Sequence, residues 1–161
     1  MKNISNKRAV DKLIFAIDSS SYEEALSWID LLSGHVGMFK VGKELFTAVG
    51  PKIIDDIKQR GQKVFLDLKF HDIPNTVARA GEVSVNLGVD MFNIHASGGF
   101  KMIQDTVNAV RLYAEKNGKQ KPIILAVTVL TSLNNADLAE IGFQKTTEEQ
   151  VLHLARLAQN A

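Results

Sequence analysis

The sequence predicts an α/β fold, a parallel (β/α)8 TIM barrel of which about five βα units are present in 161 residues. Three observations predict it. Short apolar runs alternate with longer stretches of helical period five times over, a rhythm that calls for parallel pairing with right-handed crossovers. Six side chains able to do chemistry, Asp18, Lys40, Asp67, Lys69, His95 and Thr128, fall at or near the C-terminal end of an apolar run. A barrel gathers its reactive groups at that end. An open doubly wound sheet shares the alternation, but the Gly-x-Gly-x-x-Gly turn that would favour a dinucleotide fold is replaced by Asp18-Ser-Ser-Ser21.

The first run, Leu13-Ile-Phe-Ala-Ile17, ends in Asp18 and the serines, whose hydroxyls cap a helix carrying Ala25, Leu26, Trp28, Ile29 and Leu32. The second, around Val36 to Val41, contains Lys40; Pro51 then opens a helix with Ile53, Ile54 and Ile57, stopped at Gly61. The third is Val64-Phe-Leu-Asp-Leu-Lys69, followed after Pro74 by a helix through Val77, Ala80, Val83 and Leu87 that ends at Gly88. The fourth is Val89 to His95, then Gly98-Gly99 and a helix from about Lys101 to Lys116. The fifth, Ile123 to Val129, leads into a polar loop and a helix from about Thr147 onward. A complete barrel needs eight units and about 250 residues. The chain also stops inside the helical stretch Val151-Leu-His-Leu-Ala-Arg-Leu-Ala158 without a C-cap signal. The expectation is one domain over residues 1–161 that forms the N-terminal two-thirds of a longer barrel.

Composition narrows the function classes. Hydrophobic residues make up 45% and charged residues 23%, as in an average globular protein. Nineteen Lys plus Arg against eighteen Asp plus Glu leave a net charge of +1, with no general pull toward nucleic acid or an anionic membrane. The absence of cysteine excludes disulfides, cysteine-based zinc sites and a thiol nucleophile, and fits a reducing compartment. The longest nearly unbroken apolar run, Ile123 to Leu130, falls far short of the ~20 residues of a spanning helix. Leu13 to Ile17 is too short for a secretory signal. A soluble, cytoplasmic protein is expected. His35, His71, His95 and His153 show no close pairing at metal-ligand spacing, so no metal is expected.

The most informative stretch is Asp67-Leu-Lys-Phe-His-Asp-Ile-Pro-Asn-Thr76. Residues two apart on a strand share a face, so Asp67 and Lys69 point together, with Phe65 beneath them. A carboxylate and an ammonium at the tip of an apolar strand are costly unless they pair or act on a ligand. Asp72 lies in a loop stiffened by Ile73-Pro74, and Lys40 on the neighbouring strand adds a second ammonium. An alternating array of two lysines and two aspartates is the expected result. Each residue alone has an ordinary structural use: Asp67 and Lys69 as an ion pair, Lys40 as a surface lysine, Asp18 as a turn or cap, and His95 as a core histidine. Convergence on one barrel face is what favours chemistry.

Asp67-x-Lys69-x-x-Asp72-Ile73-Pro74-x-Thr76 resembles the signature of the orotidine 5′-phosphate decarboxylase family. The likeness continues in Ala16-Ile-Asp18, Phe39-Lys-Val-Gly-Lys-Glu-Leu-Phe46, Asn93-Ile-His-Ala-Ser-Gly-Gly99 and Ala126-Val-Thr-Val-Leu-Thr-Ser132, and so spans essentially the whole chain. The resemblance implies cofactor-free decarboxylation of orotidine 5′-monophosphate to uridine 5′-monophosphate. Under it, Asp18 holds the substrate and Lys40 contacts the ribose and orders the charged array. Asp67 lies against the reacting carboxylate, and Lys69 donates the proton to C6. Asp72, Ile73 and Thr76 reach across a homodimer interface into the partner's site, and Thr131 reads the pyrimidine edge. The family's phosphate-gripping arginine and lid glutamine belong to the region after strands seven and eight. A chain ending at Ala161 is therefore expected to keep the array yet bind substrate poorly and turn over little. Two other readings stand beside this one. A magnesium-dependent hexulose-phosphate synthase or ketogulonate-phosphate decarboxylase relative shares Asp-x-Lys-x-x-Asp but lacks Ile-Pro-x-Thr. A non-catalytic dimerising fragment would pair through its exposed sheet edges.

Overall fold

Five strands pair in chain order, all parallel, in a computed structural model that describes residues 9–161. They are β1 (Ile14–Ile17), β2 (Met38–Gly42), β3 (Val64–Phe70), β4 (Met91–His95) and β5 (Ile123–Val127). The crossovers carry α1 (Tyr22–Leu32), α2 (Lys43–Val49) with α3 (Lys52–Gln59), α4 (Pro74–Asn86) and α5 (Gly99–Lys116). After β5 come α6 (Asn135–Glu140) and α7 (Thr147–Gln159). Sequential strand order with a helical crossover at every step is the arrangement of consecutive TIM-barrel units.

The register separates two faces. Ile17, Val41, Leu66 and Phe92 align across the sheet and are fully buried, together with Phe39, Val64 and Ile94. Against them pack Ile29, Ile53, Ile54, Ile57, Val77, Val85, Met102 and Val110 from the helices. Each such side chain taken from water contributes about 1.5–3 kcal/mol. The other face carries Ala16, Lys40, Phe65, Met91 and Ile123 in register, with Asp67 and Asn93 one pleat further along. That face is apolar toward the N-terminal ends of the strands and charged toward the C-terminal ends. Helices α4 and α5 approach closely because Gly81 has no side chain: a Cβ there would lie 2.7 Å from Val110 Cγ2. Among the described residues no helix is long and apolar enough to cross a membrane.

Two helices escaped the sequence reading. Helix α2 lies where only a connection to Pro51 was expected; it buries Leu45 alone, and Gly50 at φ 73° ends it, so its apolar period is too short to register. Helix α6 sits in the expected polar loop, nucleated by a capping box between Asn134 and Asp137. Strand ends also differ. Val89 stays outside β4 because Asp90 intervenes, its carboxylate accepting from Val64 N–H at 2.9 Å and Lys58 Nζ at 2.8 Å. Helix α5 starts at Gly99 itself rather than Lys101. The serine cap holds, with Ser21 accepting from Glu24 N–H at 3.3 Å.

Candidate active site

At the C-terminal ends of the first three strands, four charged side chains form a chain of alternating sign. Lys40 Nζ lies 3.5 Å from Asp18 Oδ1 and 3.3 Å from Asp67 Oδ2. Lys69 Nζ lies 2.6 Å from Asp67 Oδ1. Asp67 is the central member, its side chain only 12% exposed, whereas Asp18 is 75% exposed at the outer end. The strand alignment explains this order. Lys40 pairs in register with Phe65, so its long side chain reaches forward to Asp67, which stands opposite Gly42 and meets no side chain there.

Burial alone would raise the Asp67 carboxyl. Hydrogen bonds from Lys69 and Asn93 and the charges of Lys69 and Lys40 more than offset that, and hold it below the usual carboxylate range. Near neutral pH the site therefore presents an ionised carboxylate between two lysine side chains. Such an arrangement stabilises charge that develops beside it without cost in reorganisation.

Within the single chain the second aspartate that joins the array is Asp18, and Asp72 is not brought to it. The chain leaves the sheet after Phe70, and Asp72 is exposed, its Oδ1 accepting from the next main-chain N–H, that of Ile73, at 2.6 Å. Asp72 makes no ion pair among the described residues. Ile73 is 67% exposed and Thr76 also faces solvent, on the first turn of α4. Thr131 is exposed in the turn between β5 and α6 and makes no side-chain hydrogen bond to the array.

The histidine spacing concealed a contact. His71 and His95 come together from the ends of β3 and β4, with ring centroids 5.3 Å apart. Burial, and after it the positive charges of His71, Lys43 and Lys69, push the His95 imidazole below its ordinary value. The pair borders a mostly apolar cavity of about 170 Å³ that Thr128, Leu130, Leu138 and Leu154 also line. Among the described residues, no group of three or more His, Cys, Asp or Glu is placed to hold a metal ion.

Asn93 is the participant that the sequence reading did not single out. It is buried, donates from Nδ2 to Asp67 Oδ1 at 2.6 Å and accepts from Lys69 N–H at 2.7 Å. The signal was present as an amide in the middle of an otherwise apolar strand, where burial demands partners.

Residues 11–161 match the family model described as "Orotidine 5'-phosphate decarboxylase / HUMPS family". The chain is 55% identical over 161 residues to an orotidine 5′-phosphate decarboxylase of Syntrophus aciditrophicus (strain SB), covering 99% of this chain and 64% of that protein. It is 49% identical over 150 residues to that of Geotalea daltonii, covering 93% of this chain and 62% of the relative. The crystal structure of orotidine 5′-phosphate decarboxylase from Lactobacillus acidophilus superposes with a TM-score of 0.84 at 37% identity, covering 92% of this chain and 66% of that one. The chain thus spans less than two-thirds of the length of these curated relatives. With the parallel strand order, these likenesses establish the fold as consecutive units of a TIM barrel.

Proposed function

The chain belongs to the orotidine 5′-phosphate decarboxylase / HUMPS family, and from that premise we propose that its charged array serves the decarboxylation of orotidine 5′-monophosphate to uridine 5′-monophosphate and CO2, a step of pyrimidine nucleotide synthesis. The observation that carries the proposal is Asp67 set between Lys69 at 2.6 Å and Lys40 at 3.3 Å. Loss of CO2 from C6 leaves the bonding electron pair on a ring carbon with little resonance relief. With no cofactor as electron sink, the burden falls on electrostatics.

In this reading the substrate carboxylate lies beside Asp67, and their repulsion is relieved as CO2 departs. Lys69 Nζ stabilises the electron pair at C6 and then delivers a proton there, and is itself reprotonated from solvent. Opposite unit charges 4 Å apart attract by about 4 kcal/mol at an effective dielectric of 20. One lysine helps substantially, and remote binding of the 5′-phosphate supplies positioning. Asp18 and Lys40 hold the ribose side, and Thr131 reads the pyrimidine edge. Asp72, Ile73 and Thr76, exposed on one loop and the helix it starts, serve the partner's site in a homodimer. The lack of cysteine accords with a cytoplasmic setting.

The relatives' names and the Ile73-Pro74-x-Thr76 continuation favour this reaction over the magnesium-dependent one. The test is loss of orotidine 5′-monophosphate absorbance, measured with the 161-residue chain and with the chain continued by the remainder of the Syntrophus aciditrophicus relative. Turnover unaffected by EDTA is expected from the extended form and little from the chain alone. Absence of turnover in both would overturn the proposal.

A further inference from the structure

Between the register pairs Leu66↔Phe92 and Phe70↔Ile94, strand β3 carries three residues where β4 carries one. Asp67, Leu68 and Lys69 stand opposite Asn93 alone. A bulge of this kind interrupts the ladder and leaves main-chain groups that need partners from elsewhere. Within it, Lys69 has φ 54°, and among the described residues it is the one non-glycine residue in the left-handed region. L side chains rarely adopt that conformation unless their surroundings hold them in it.

Asn93 supplies the hold. It is 3% exposed, and both ends of its amide are engaged. A carboxylate only accepts and a main-chain N–H only donates, so the partners dictate which end of the amide faces which. Asp67 Oδ1 receives Asn93 Nδ2 and Lys69 Nζ, each at 2.6 Å, which leaves Oδ2 turned to Lys40. Without the amide, the carboxylate is held only by the two flexible lysine side chains, and the Lys69 main chain loses the side-chain acceptor that holds its strained conformation. No other side chain of this size makes both bonds. Aspartate lacks the donor and would set a second carboxylate against the first, and leucine offers neither group.

We propose that Asn93 is a positioning residue, the clamp that joins the Asp67 side chain to the Lys69 main chain so that the Lys69 ammonium is held in place for proton delivery. The delivery rests on the decarboxylase reading above; the clamp itself does not. A group held in advance of reaction needs no reorganisation at the moment charge develops.

Asn93→Leu and Asn93→Asp test this by NMR and kinetics. In the unaltered protein, the Asn93 side-chain NH2 signals should shift as the Asp67 carboxyl titrates, and the Lys69 amide should exchange slowly. In Asn93→Leu, Lys69 amide exchange should accelerate by about tenfold or more and the Asp67 midpoint should rise. In Asn93→Asp, Lys69 protection should persist, because the acceptor remains, while the Asp67 midpoint still rises. In the form that turns over orotidine 5′-monophosphate, kcat should fall roughly 10- to 100-fold in both variants with KM little changed. A residue that merely supports the fold would lower Tm and leave the Asp67 midpoint and kcat alone; that result overturns the proposal. So does an Asn93 NH2 signal indifferent to Asp67, a measurement that needs no variant to fold. If the unaltered protein shows no turnover, the decarboxylase reading fails while the NMR results still decide the clamp.

Discussion

Lys69 Nζ and Asp67 Oδ1 meet at 2.6 Å although the main chain at Lys69 has left the strand conformation. In a regular strand the pleat alone would place the two side chains on one face. Here a bulge opposite Asn93 sets the lysine's direction, so the ion pair depends on the neighbouring strand as well as on its own.

Acid should weaken the fold through Asp67. Its folded pKa lies below the unfolded value of 3.8, so its contribution is present above that value and is lost as pH falls through the folded one. Urea unfolding between pH 7 and pH 2.5 should show this loss, and Asp67→Asn should flatten it. At pH 7 the substitution should cost about 1–3 kcal/mol, because two lysines then face each other without the carboxylate.

His95 acts with the same direction in a different window. Its folded pKa lies below 6.5, for burial and nearby positive charge disfavour the imidazolium. Its share of stability is therefore present above pH 6.5 and declines as pH falls toward the folded value. Proton NMR of the ring should place its midpoint below 6.5. His71→Asn, which removes the electrostatic influence of the neighbouring imidazole, should move that midpoint upward.

Gly81 should not tolerate a larger residue. Its Cβ would meet Val110 Cγ2 at 2.7 Å where α4 crosses α5. Gly81→Val should destabilise by about 1–3 kcal/mol through overpacking, read as a lower urea midpoint at unchanged slope.

Ile73 should matter to association and hardly to folding. Its side chain is 67% exposed in the single chain, so Ile73→Asp should change the unfolding stability of the dissociated chain by less than about 0.5 kcal/mol. Light scattering should show the protein shift from dimer to single chain on that substitution. An unchanged molar mass would count against the proposed interface.

Much of this was legible in the sequence. Alternating apolar and amphipathic segments specify the parallel units, and charged residues that end apolar runs mark the site face. Asp18, Lys40, Asp67 and Lys69 therefore came together as the strand pattern implies. What stayed hidden depends on register between strands. The bulge that makes Asn93 the partner of both Asp67 and Lys69 has no local signature in either segment. The contact between His71 and His95 arises only when β3 and β4 lie side by side. The outward turn of Asp72 follows from where the chain leaves the sheet, which composition does not mark. Helices α2 and α6 are shorter than the window over which a helical period can be recognised.

Lys69 as proton donor is the central claim, and Lys69→Ala measured in D2O against the unaltered protein, both in the extended form, tests it most directly. The unaltered protein should convert orotidine 5′-monophosphate to product carrying deuterium at C6, and the variant should lose about 10²- to 10⁴-fold in kcat with its fold intact. A Lys69→Ala protein that keeps near-normal kcat would contradict the account.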